Sequence, residues 1–272
     1  MIEKVLIANR GETALRVMKT SKALGIKTVA VYSDEDVNSL HVKTADESYY
    51  IGEAAPAKSY LNQEKILDVM LSSGTDAVHP GYGFLSENDD FARLCEKNKI
   101  NFIGPSADSM NLCGDKMRCK AAMLDANVPT VPGSPGLVKD ADEAEKIAND
   151  IGYPVLLKSV YGGGGRGIRL VTNDKELQEG FETVTSESIA AVGKSAIIVE
   201  KFLEKTRHIE YQMCRDKHGN TVHLFERECS IQRRNQKLIE QTPSPVVDDA
   251  KREEIGELVV KAAQAVDYTN LG

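Results

Sequence analysis

A run of four glycines, residues 162–165, lies between Lys158 and Arg166. Such a run loses much conformational entropy on folding, and it is retained where the backbone must approach a ligand closely. The N–H groups of a glycine loop suit a triphosphate, and the lysine and the arginine add positive charge. Strand patterns on both sides disfavour a flexible surface linker. We interpret residues 158–167 as a phosphate-binding loop.

Two other nucleotide-binding patterns fit the sequence less well. No Gly-Lys-Ser/Thr follows the glycine run, so it is not a Walker A loop. Gly11 stands alone after the first strand pattern, where a Rossmann fingerprint has three glycines and a later acidic residue. Asp34 or Glu35 can supply that acid, so a dinucleotide site remains a weaker alternative.

Three further segments have residue types that can bind a nucleotide or an anion. Lys116 begins a helical pattern, although alone it is better explained as a solvated surface charge. Glu200 follows a strand pattern, and a carboxylate beside free backbone groups can recognise the edge of adenine. Residues 226–237 mix both charges with amides, which fits the wall of an anion site and a solvated face equally well.

Composition limits the classes of protein that these segments can belong to. The chain has 272 residues, 41% apolar and 28% charged, and a net charge of −7, which predicts about two domains and no nucleic-acid partner. The five cysteines form no CxxC pair, so we expect reduced, mostly buried thiols and no zinc site. No apolar run is long enough for a membrane span, and the sequence enters a strand pattern at once. We therefore expect a cytoplasmic protein.

The first third alternates strand and helix patterns. Residues 5–8 and 28–32 are strand-like and enclose a helix over 13–24, with Gly25 at its end. Ser86 and Asp89 predict a capping box for the helix that runs to Lys97. This alternation predicts a doubly wound parallel sheet of about five strands.

The middle and the end are more antiparallel. Three prolines and two glycines predict that residues 128–136 are a linker between subdomains. Helix caps are predicted at Asp140 with Glu143 and at Asn173 with Glu176. Strand patterns over residues 209–213 and 221–225 flank a turn. A helix over residues 248–266 closes the chain, which then ends without a further element.

Four segments in order resemble the biotin carboxylase family from end to end. They are the opening residues 7–12, the segment 79–88 followed by Ile103-Gly104-Pro105, the glycine loop 158–167, and residues 226–237. The resemblance implies an α/β fold with a Rossmann-like N-terminal (pre-ATP-grasp) domain over 1–114. An ATP-grasp α+β domain over 115–272 follows, with a lid subdomain at about 131–203.

The resemblance also implies roles for single residues. It assigns Lys116 and Lys158 to the ATP phosphates, Lys237 to bicarbonate as the catalytic residue, and residues 226–237 to one active-site strand. The full set of implied nucleotide-binding residues is Lys116, Lys158, Gly164, Gly165, Glu200, Lys201, Phe202, Leu203, His208, Gln232 and Asn235. Many family members have histidine where this chain has Asn235, so we expect altered nucleotide affinity there.

The family's magnesium ligands and its catalytic and biotin-binding arginines would lie beyond Gly272. We therefore expect a fragment of a longer enzyme, inactive alone, with no metal ligand in this chain and apolar surface exposed over residues 209–225. The implied substrates are MgATP, bicarbonate and biotin on a carrier protein, and the implied partners are that carrier, a carboxyltransferase and a second copy. A carbamoyl-phosphate synthetase-like ligase and a non-catalytic nucleotide-binding fragment remain alternatives. Which acyl acceptor the parent enzyme serves stays open.

Overall fold

A computed structural model describes residues 2–160, 167–193, 195–234 and 236–272. The chain divides into two compact units. The first comprises Met1–Asp115, Gln212–Leu224 and Ala263–Gly272, and the second comprises Lys116–Tyr211 and Phe225–Ala262. No helix in the described ranges is both long and apolar enough to cross a membrane.

A five-stranded parallel sheet forms the centre of the first unit, with the strand order β3-β2-β1-β4-β5. Its strands and the helices between them are β1 (Lys4–Ile7), α1 (Gly11–Ala23), β2 (Lys27–Ser33), α2 (Leu40–Thr44), β3 (Glu47–Gly52), α3 (Gln63–Ser73), β4 (Ala77–His79), α4 (Asp89–Lys97), β5 (Asn101–Phe102) and α5 (Ala107–Gly114). The predicted doubly wound parallel sheet is confirmed.

Both faces of this sheet are buried, which explains the continuous apolar strand patterns. Leu6 and Val29 face one core cluster, whereas Val5, Ile7 and Ala30 face the other. The order of the strands reverses between β1 and β4, so the loops that follow these two strands are neighbours, as they are at the ligand-binding crevice of open α/β sheets.

One predicted cap in this unit is wrong. Helix α4 begins at Asp89, and its N-cap is Asn88, whose side chain accepts a hydrogen bond from the Phe91 N–H at 2.7 Å. Ser86 lies in the preceding turn, where its N–H donates to the Gly83 carbonyl at 2.9 Å. Asparagine caps a helix as well as serine does, so the sequence offered two equivalent candidates within three residues.

The remaining elements begin at Lys116. They are α6 (Lys116–Asp125), α7 (Ala141–Ile151), β6 (Val155–Ser159), β7 (Ile168–Val171), α8 (Asp174–Val192), β8 (Ile197–Lys201), β9 (Ile209–Arg215), β10 (Thr221–Arg233), β11 (Gln236–Gln241), α9 (Asp249–Ala265) and β12 (Asn270–Leu271). Strands β7, β6 and β8 form an antiparallel sheet, and β11, β10, β9 and β12 form a second sheet in that order.

The antiparallel sheet β7-β6-β8 buries one face against α7 and α8. Leu157, Leu177 and Val199 belong to the core cluster between them. The proline-rich segment 128–136 runs along β8, because the Ser134 N–H donates to the Val199 carbonyl at 2.8 Å. A side chain at Gly133 would clash with that same carbonyl, which explains a glycine in this segment.

Two smaller expectations are also wrong. The chain does not end without a closing element, because β12 pairs with β9 and the Met213 N–H donates to the Gly272 carbonyl at 2.8 Å. All five cysteines are free, as expected, but only Cys95 and Cys229 are buried.

Candidate nucleotide and anion site

Lys158 and Glu200 lie on adjacent strands of the second unit and point to the same face. Strand β6 pairs with β8 so that Leu156 stands opposite Glu200, two residues before Lys158. The Lys158 ammonium donates a hydrogen bond to Glu200 Oε2. Both side chains stay partly exposed, at 30% and 23%. The pair therefore offers a cation at a strand end that a phosphate oxygen can reach.

The two residues after Glu200 hydrogen-bond to the segment that precedes β6. The Lys201 ammonium turns away and donates to the carbonyls of Gly152 and Tyr153 at 2.7 and 2.8 Å. The Phe202 N–H donates to the Pro154 carbonyl at 3.1 Å, and the side chain of Leu203 is exposed. Lys201 thus fixes the end of β8 against residues 152–153 through its side chain, while the exposed Leu203 is available for contact with a flat apolar ring.

A second cluster joins three neighbouring strands through one carboxylate. Glu210 on β9 accepts a hydrogen bond at Oε1 from Arg227 Nε on β10 at 2.8 Å, and Arg227 Nη2 forms an ion pair with the same oxygen at 2.6 Å. The Lys237 ammonium on β11 donates to the other oxygen, Oε2. The hydrogen bond from Lys237 lowers the pKa of Glu210, and the same bond raises the pKa of Lys237.

His208 and Gln232 border this cluster. The Gln232 side-chain amide lies 2.9 Å from His208 Nδ1 and also donates to the Cys229 carbonyl at 2.8 Å. His208 Nε2 lies 3.5 Å from Glu210 Oε2. Three of the predicted site residues, His208, Gln232 and Lys237, therefore meet around Glu210.

The interpretation of residues 226–237 as one strand is wrong. Strand β10 ends at Arg233 and β11 begins at Gln236, so Lys237 lies on the returning strand of a hairpin, opposite Gln232. Arg234 occupies the turn with a φ of 51°. The turn has no glycine, and for this reason the sequence showed no break there.

The other predicted residues are less informative in the structure. Lys116 is the first residue of α6 and is exposed. Gly164, Gly165 and Asn235 lie outside the described residues. The sequence interpretation missed Glu210, and it did not single out Arg227 within residues 226–237. Glu210 is the only carboxylate in its strand, Ile209–Arg215, but that strand also contains Gln212 and Arg215, so the signal in the sequence was weak.

Two buried carboxylates on β10, Glu226 and Glu228, anchor this strand next to the cluster. Glu226 accepts two hydrogen bonds from Arg252, both at 2.9 Å, and one from the Ser244 N–H at 3.0 Å. The Ser244 hydroxyl donates to Glu228 at 2.9 Å. Because Glu226 and Glu228 flank Arg227, these bonds fix the part of the strand from which Arg227 projects.

Among the described residues, one group places three possible ligand atoms within 4.8 Å of one another: Glu210, Cys229 and Glu240. This group does not fit magnesium. The carboxylate of Glu210 is already bound by two cationic side chains, and magnesium prefers oxygen ligands to a thiol.

In the first unit, two of the family-like segments contact each other. The buried amide of Asn9 donates to the carbonyls of Pro80 and Tyr82, both at 2.8 Å. A Cβ at Gly81, whose φ is +66°, would lie 2.6 Å from the Asn9 amide nitrogen. Asn9 therefore determines the shape of the loop after β4, and Tyr82 stands exposed at its tip.

Comparison with protein families agrees with this arrangement. Residues 1–110 match the model described as "Biotin carboxylase, N-terminal domain". Residues 115–272 match "Carbamoyl-phosphate synthase L chain, ATP binding domain". The chain belongs to the biotin carboxylase family. The resemblance found from the sequence is confirmed.

Relatives in the biotin carboxylase family match the whole chain. It is 53% identical over 272 residues to the 2-oxoglutarate carboxylase small subunit of Hydrogenobacter thermophilus, covering 100% of this chain and 57% of that protein. It is 50% identical to biotin carboxylase 1 of Bacillus subtilis, covering 100% of the chain and 60% of that protein. The chain thus spans about three fifths of the length of these relatives.

Solved structures of the family match the fold equally well. The biotin carboxylase domain of a thermophilic 2-oxoglutarate carboxylase, bound to bicarbonate, has a TM-score of 0.93 at 50% identity, covering 100% of this chain and 59% of that one. The biotin carboxylase of Campylobacter jejuni, in a β-γ-ATP complex, has a TM-score of 0.89 at 46% identity, covering 100% and 61%.

Proposed function

We propose that this chain supplies the nucleotide- and bicarbonate-binding part of a biotin carboxylase, which carboxylates biotin on a carrier protein at the expense of MgATP. The observation that carries the proposal is the Lys237–Glu210–Arg227 cluster beside His208 and Gln232. Relatives solved with bicarbonate and with an ATP complex support the same chemistry.

In the proposed reaction a bicarbonate oxygen attacks the γ-phosphorus of MgATP, and the bond to ADP breaks. The resulting carboxyphosphate releases CO₂ and phosphate beside biotin, whose deprotonated ureido nitrogen takes up the CO₂. Magnesium enters with ATP as part of this substrate. Lys237 holds the bicarbonate, while Lys116 and Lys158 neutralise phosphate charge.

The nucleotide roles follow from the same assignment. We propose that residues 200–203 bind adenine, that His208, Gln232 and Asn235 contact the nucleotide, and that Gly164 and Gly165 cover it. Exclusion of water by such a cover suits a reaction whose intermediate hydrolyses easily. We keep the domain division 1–114 and 115–272, with a lid at about 131–203, as part of this proposal.

We also propose partners and a location. A biotin carrier protein, a carboxyltransferase and a second copy of the chain are expected to assemble with it, and one relative is described as a biotin carboxylase domain dimer. The absence of any disulfide among the five cysteines supports the cytoplasm or an equivalent reducing compartment.

The test is ADP release from MgATP, with and without bicarbonate and free biotin, by this chain and by its full natural reading frame. Turnover by the longer protein that depends on both bicarbonate and biotin supports the proposal. Bicarbonate-dependent cleavage that ignores biotin favours a carbamoyl-phosphate synthetase-like ligase. Nucleotide binding without cleavage in both proteins favours a non-catalytic module.

Replacing Lys237 by alanine gives a sharper test of the site. In the full-length protein we expect Lys237→Ala to abolish bicarbonate-dependent ADP release, because the cation that holds bicarbonate is gone. ADP affinity, measured by calorimetry, should remain within a few-fold of wild type. Lys251→Ala, which removes an exposed lysine paired with Glu254, is the control and should keep full turnover. Undiminished turnover in Lys237→Ala would remove this residue from the site.

A further inference from the structure

Arg227 and Lys237 share one carboxylate without sharing an oxygen. Arg227 contacts Glu210 Oε1 through a hydrogen bond from Nε and an ion-pair contact from Nη2, and Lys237 contacts Oε2. All three side chains are partly open, with exposed fractions of 35% for Arg227, 23% for Glu210 and 36% for Lys237. Solvent and a small anion can therefore reach the group.

The charges of this trio do not cancel. Two cations face one carboxylate, so the group carries one positive charge that a small anion can neutralise. If Glu210 had Lys237 as its sole cationic partner, the pair would be neutral and the ammonium would be committed to the carboxylate. A guanidinium is more weakly hydrated than an ammonium and is therefore the better partner for a partly buried carboxylate.

We propose that Arg227 is a positioning residue that holds Glu210 by one oxygen and thereby leaves Lys237 available to bind an anionic substrate. Arg227 itself contacts no substrate in this scheme. The inference rests on the proposed function for the identity of the anion, bicarbonate, but the geometry alone determines how Arg227 acts on Lys237.

The other charged groups around the trio do not remove this effect. Glu240 on β11 forms a longer ion pair with Arg227, 3.9 Å from its Nε, but it is 46% exposed, so solvent screens its charge. His208 approaches Glu210 at 3.5 Å. The thiol of Cys229 is buried, and burial raises its pKa, so it stays neutral at pH 7. Glu210 remains the group that Arg227 and Lys237 both bind.

The experiment measures the pKa of Lys237 in the full-length protein without requiring turnover. Acetylation by acetic anhydride is followed against pH at Lys237. Once every lysine is finally acetylated under denaturing conditions with an isotopically distinct anhydride, trypsin cuts at Arg234 and Arg252, and fragmentation of the peptide 235–252 separates Lys237 from Lys251. We expect Arg227→Gln to raise the pKa of Lys237, because a neighbouring positive charge is lost and Glu210 turns fully to the ammonium. Glu210→Gln should shift it in the opposite direction. A purely structural role for Arg227 does not predict opposite signs.

Kinetics supply the second readout. In Arg227→Gln we expect the KM for bicarbonate to rise about tenfold, the equivalent of one lost charge-assisted hydrogen bond, with the KM for ATP unchanged. Arg227→Lys should recover part of the loss. Arg207→Gln is the matched control, because it removes the same charge from an exposed arginine that faces Glu228 at 3.7 Å instead of Glu210. It should change neither readout.

An unchanged or lowered pKa of Lys237 in folded Arg227→Gln overturns the inference, as does an equal rise in both KM values. If Arg227→Gln does not fold, the pKa of Lys237 and the KM for bicarbonate are compared with wild type in Arg227→Lys and Glu210→Gln instead. Unchanged values in both variants then overturn the inference. A wild-type protein that ignores bicarbonate contradicts the proposed function, whereas the pKa readout still tests the action of Arg227.

Discussion

Two of the lysines that we propose bind an anionic substrate, one on β6 and one on β11, each form an ion pair with a carboxylate. Lys158 contacts Glu200, and Lys237 contacts Glu210. Partly exposed ion pairs of this kind are worth up to about 1 kcal/mol, so a multiply charged phosphate or a bound bicarbonate can compete for the ammonium group. In both pairs the carboxylate holds the ammonium group in place.

Glu226 provides a residue-scale prediction on pH. Its hydrogen bonds from Arg252, above all, lower its pKa to about 2. A carboxylate with a lowered pKa in the folded state contributes stability that is complete above its unfolded pKa of about 4.5 and is lost as the pH falls through about 2. We expect the free energy of unfolding of wild type to exceed that of Glu226→Gln most at neutral pH, with the gap narrowing steadily below pH 4.5.

Urea denaturation followed by circular dichroism at pH 7, 5, 4 and 3 measures this gap. Glu254→Gln is the control, since Glu254 is exposed and pairs with Lys251 three residues before it on the same helix. Its gap from wild type should stay small throughout. A gap for Glu226→Gln that is constant with pH would show that the pKa of Glu226 is the same in the folded and unfolded protein, which contradicts the prediction.

The residue types of the site were partly predictable. Lys158, Lys237 and Gln232 stand in segments whose composition is unusual, so the sequence drew attention to them. Glu210 did not stand out, because a single charge in a strand usually faces solvent. Only the pairing of three strands places it between Arg227 and Lys237, and that pairing is a long-range property.

At the scale of elements, the caps of two helices were predicted correctly in the second unit. Asp140 accepts a hydrogen bond from the Glu143 N–H at 2.9 Å, and Glu143 accepts one from the Lys139 N–H at 3.0 Å. Asn173 accepts from the Glu176 N–H at 3.0 Å in the same way. These motifs are local, and a local motif can be identified from sequence spacing alone.

We expect Asp140→Ala to lower the free energy of unfolding by about 1 kcal/mol, the usual value of a helix N-cap. Helix α7 packs on the same core as β6 and β8, so the loss should appear in the cooperative transition. Asp142→Ala, an exposed position in the same first turn, is the control and should cost a few tenths of a kcal/mol. Equal losses for the two variants would contradict the cap assignment.

Among the elements that the sequence did not predict, two were missed for clear physical reasons. Strand β3, Glu47–Gly52, has an alternating burial pattern and follows a short helix, so it lacked the buried apolar run of its neighbours. The hairpin between β10 and β11 turns through Arg234 at positive φ, without the glycine or Asn-Gly pair that usually marks such a turn. In both cases tertiary context outweighs the local pattern.

At the scale of the whole molecule, each of the two compact units is built from separate stretches of the sequence. Gln212–Leu224 and Ala263–Gly272 belong to the first unit, although the second unit separates them from it along the sequence. Helix and strand periods contain no information on such a return of the chain. The doubly wound sheet, in contrast, follows from consecutive strand–helix units and was predictable.

Apolar side chains are exposed at Val222, Leu224 and Phe225 on β10, within the range where we expected them. They are also exposed farther along the β10–β11 hairpin. Ile231 and Ile239 stand opposite each other on β10 and β11 and are 56% and 57% exposed. Strand β11 lies at the edge of its sheet and is exposed along its whole length. An edge strand that pairs on one side only and exposes apolar side chains such as Leu238 and Ile239 is a site for self-association between chains.

We therefore expect this 272-residue chain to self-associate as its concentration rises, and Ile239→Lys to reduce that association, because a charged side chain on an edge strand opposes pairing. Sedimentation velocity over a concentration series measures the effect, and the free energy of unfolding should change by less than about 0.5 kcal/mol, as for other exposed positions. Leu24→Lys, at a 70% exposed position just after α1, is the control and should leave association unchanged. If both variants associate like wild type, the contact involves another surface. If Leu24→Lys reduces association as strongly as Ile239→Lys does, the added charge alone explains the change and the edge strand has no special role.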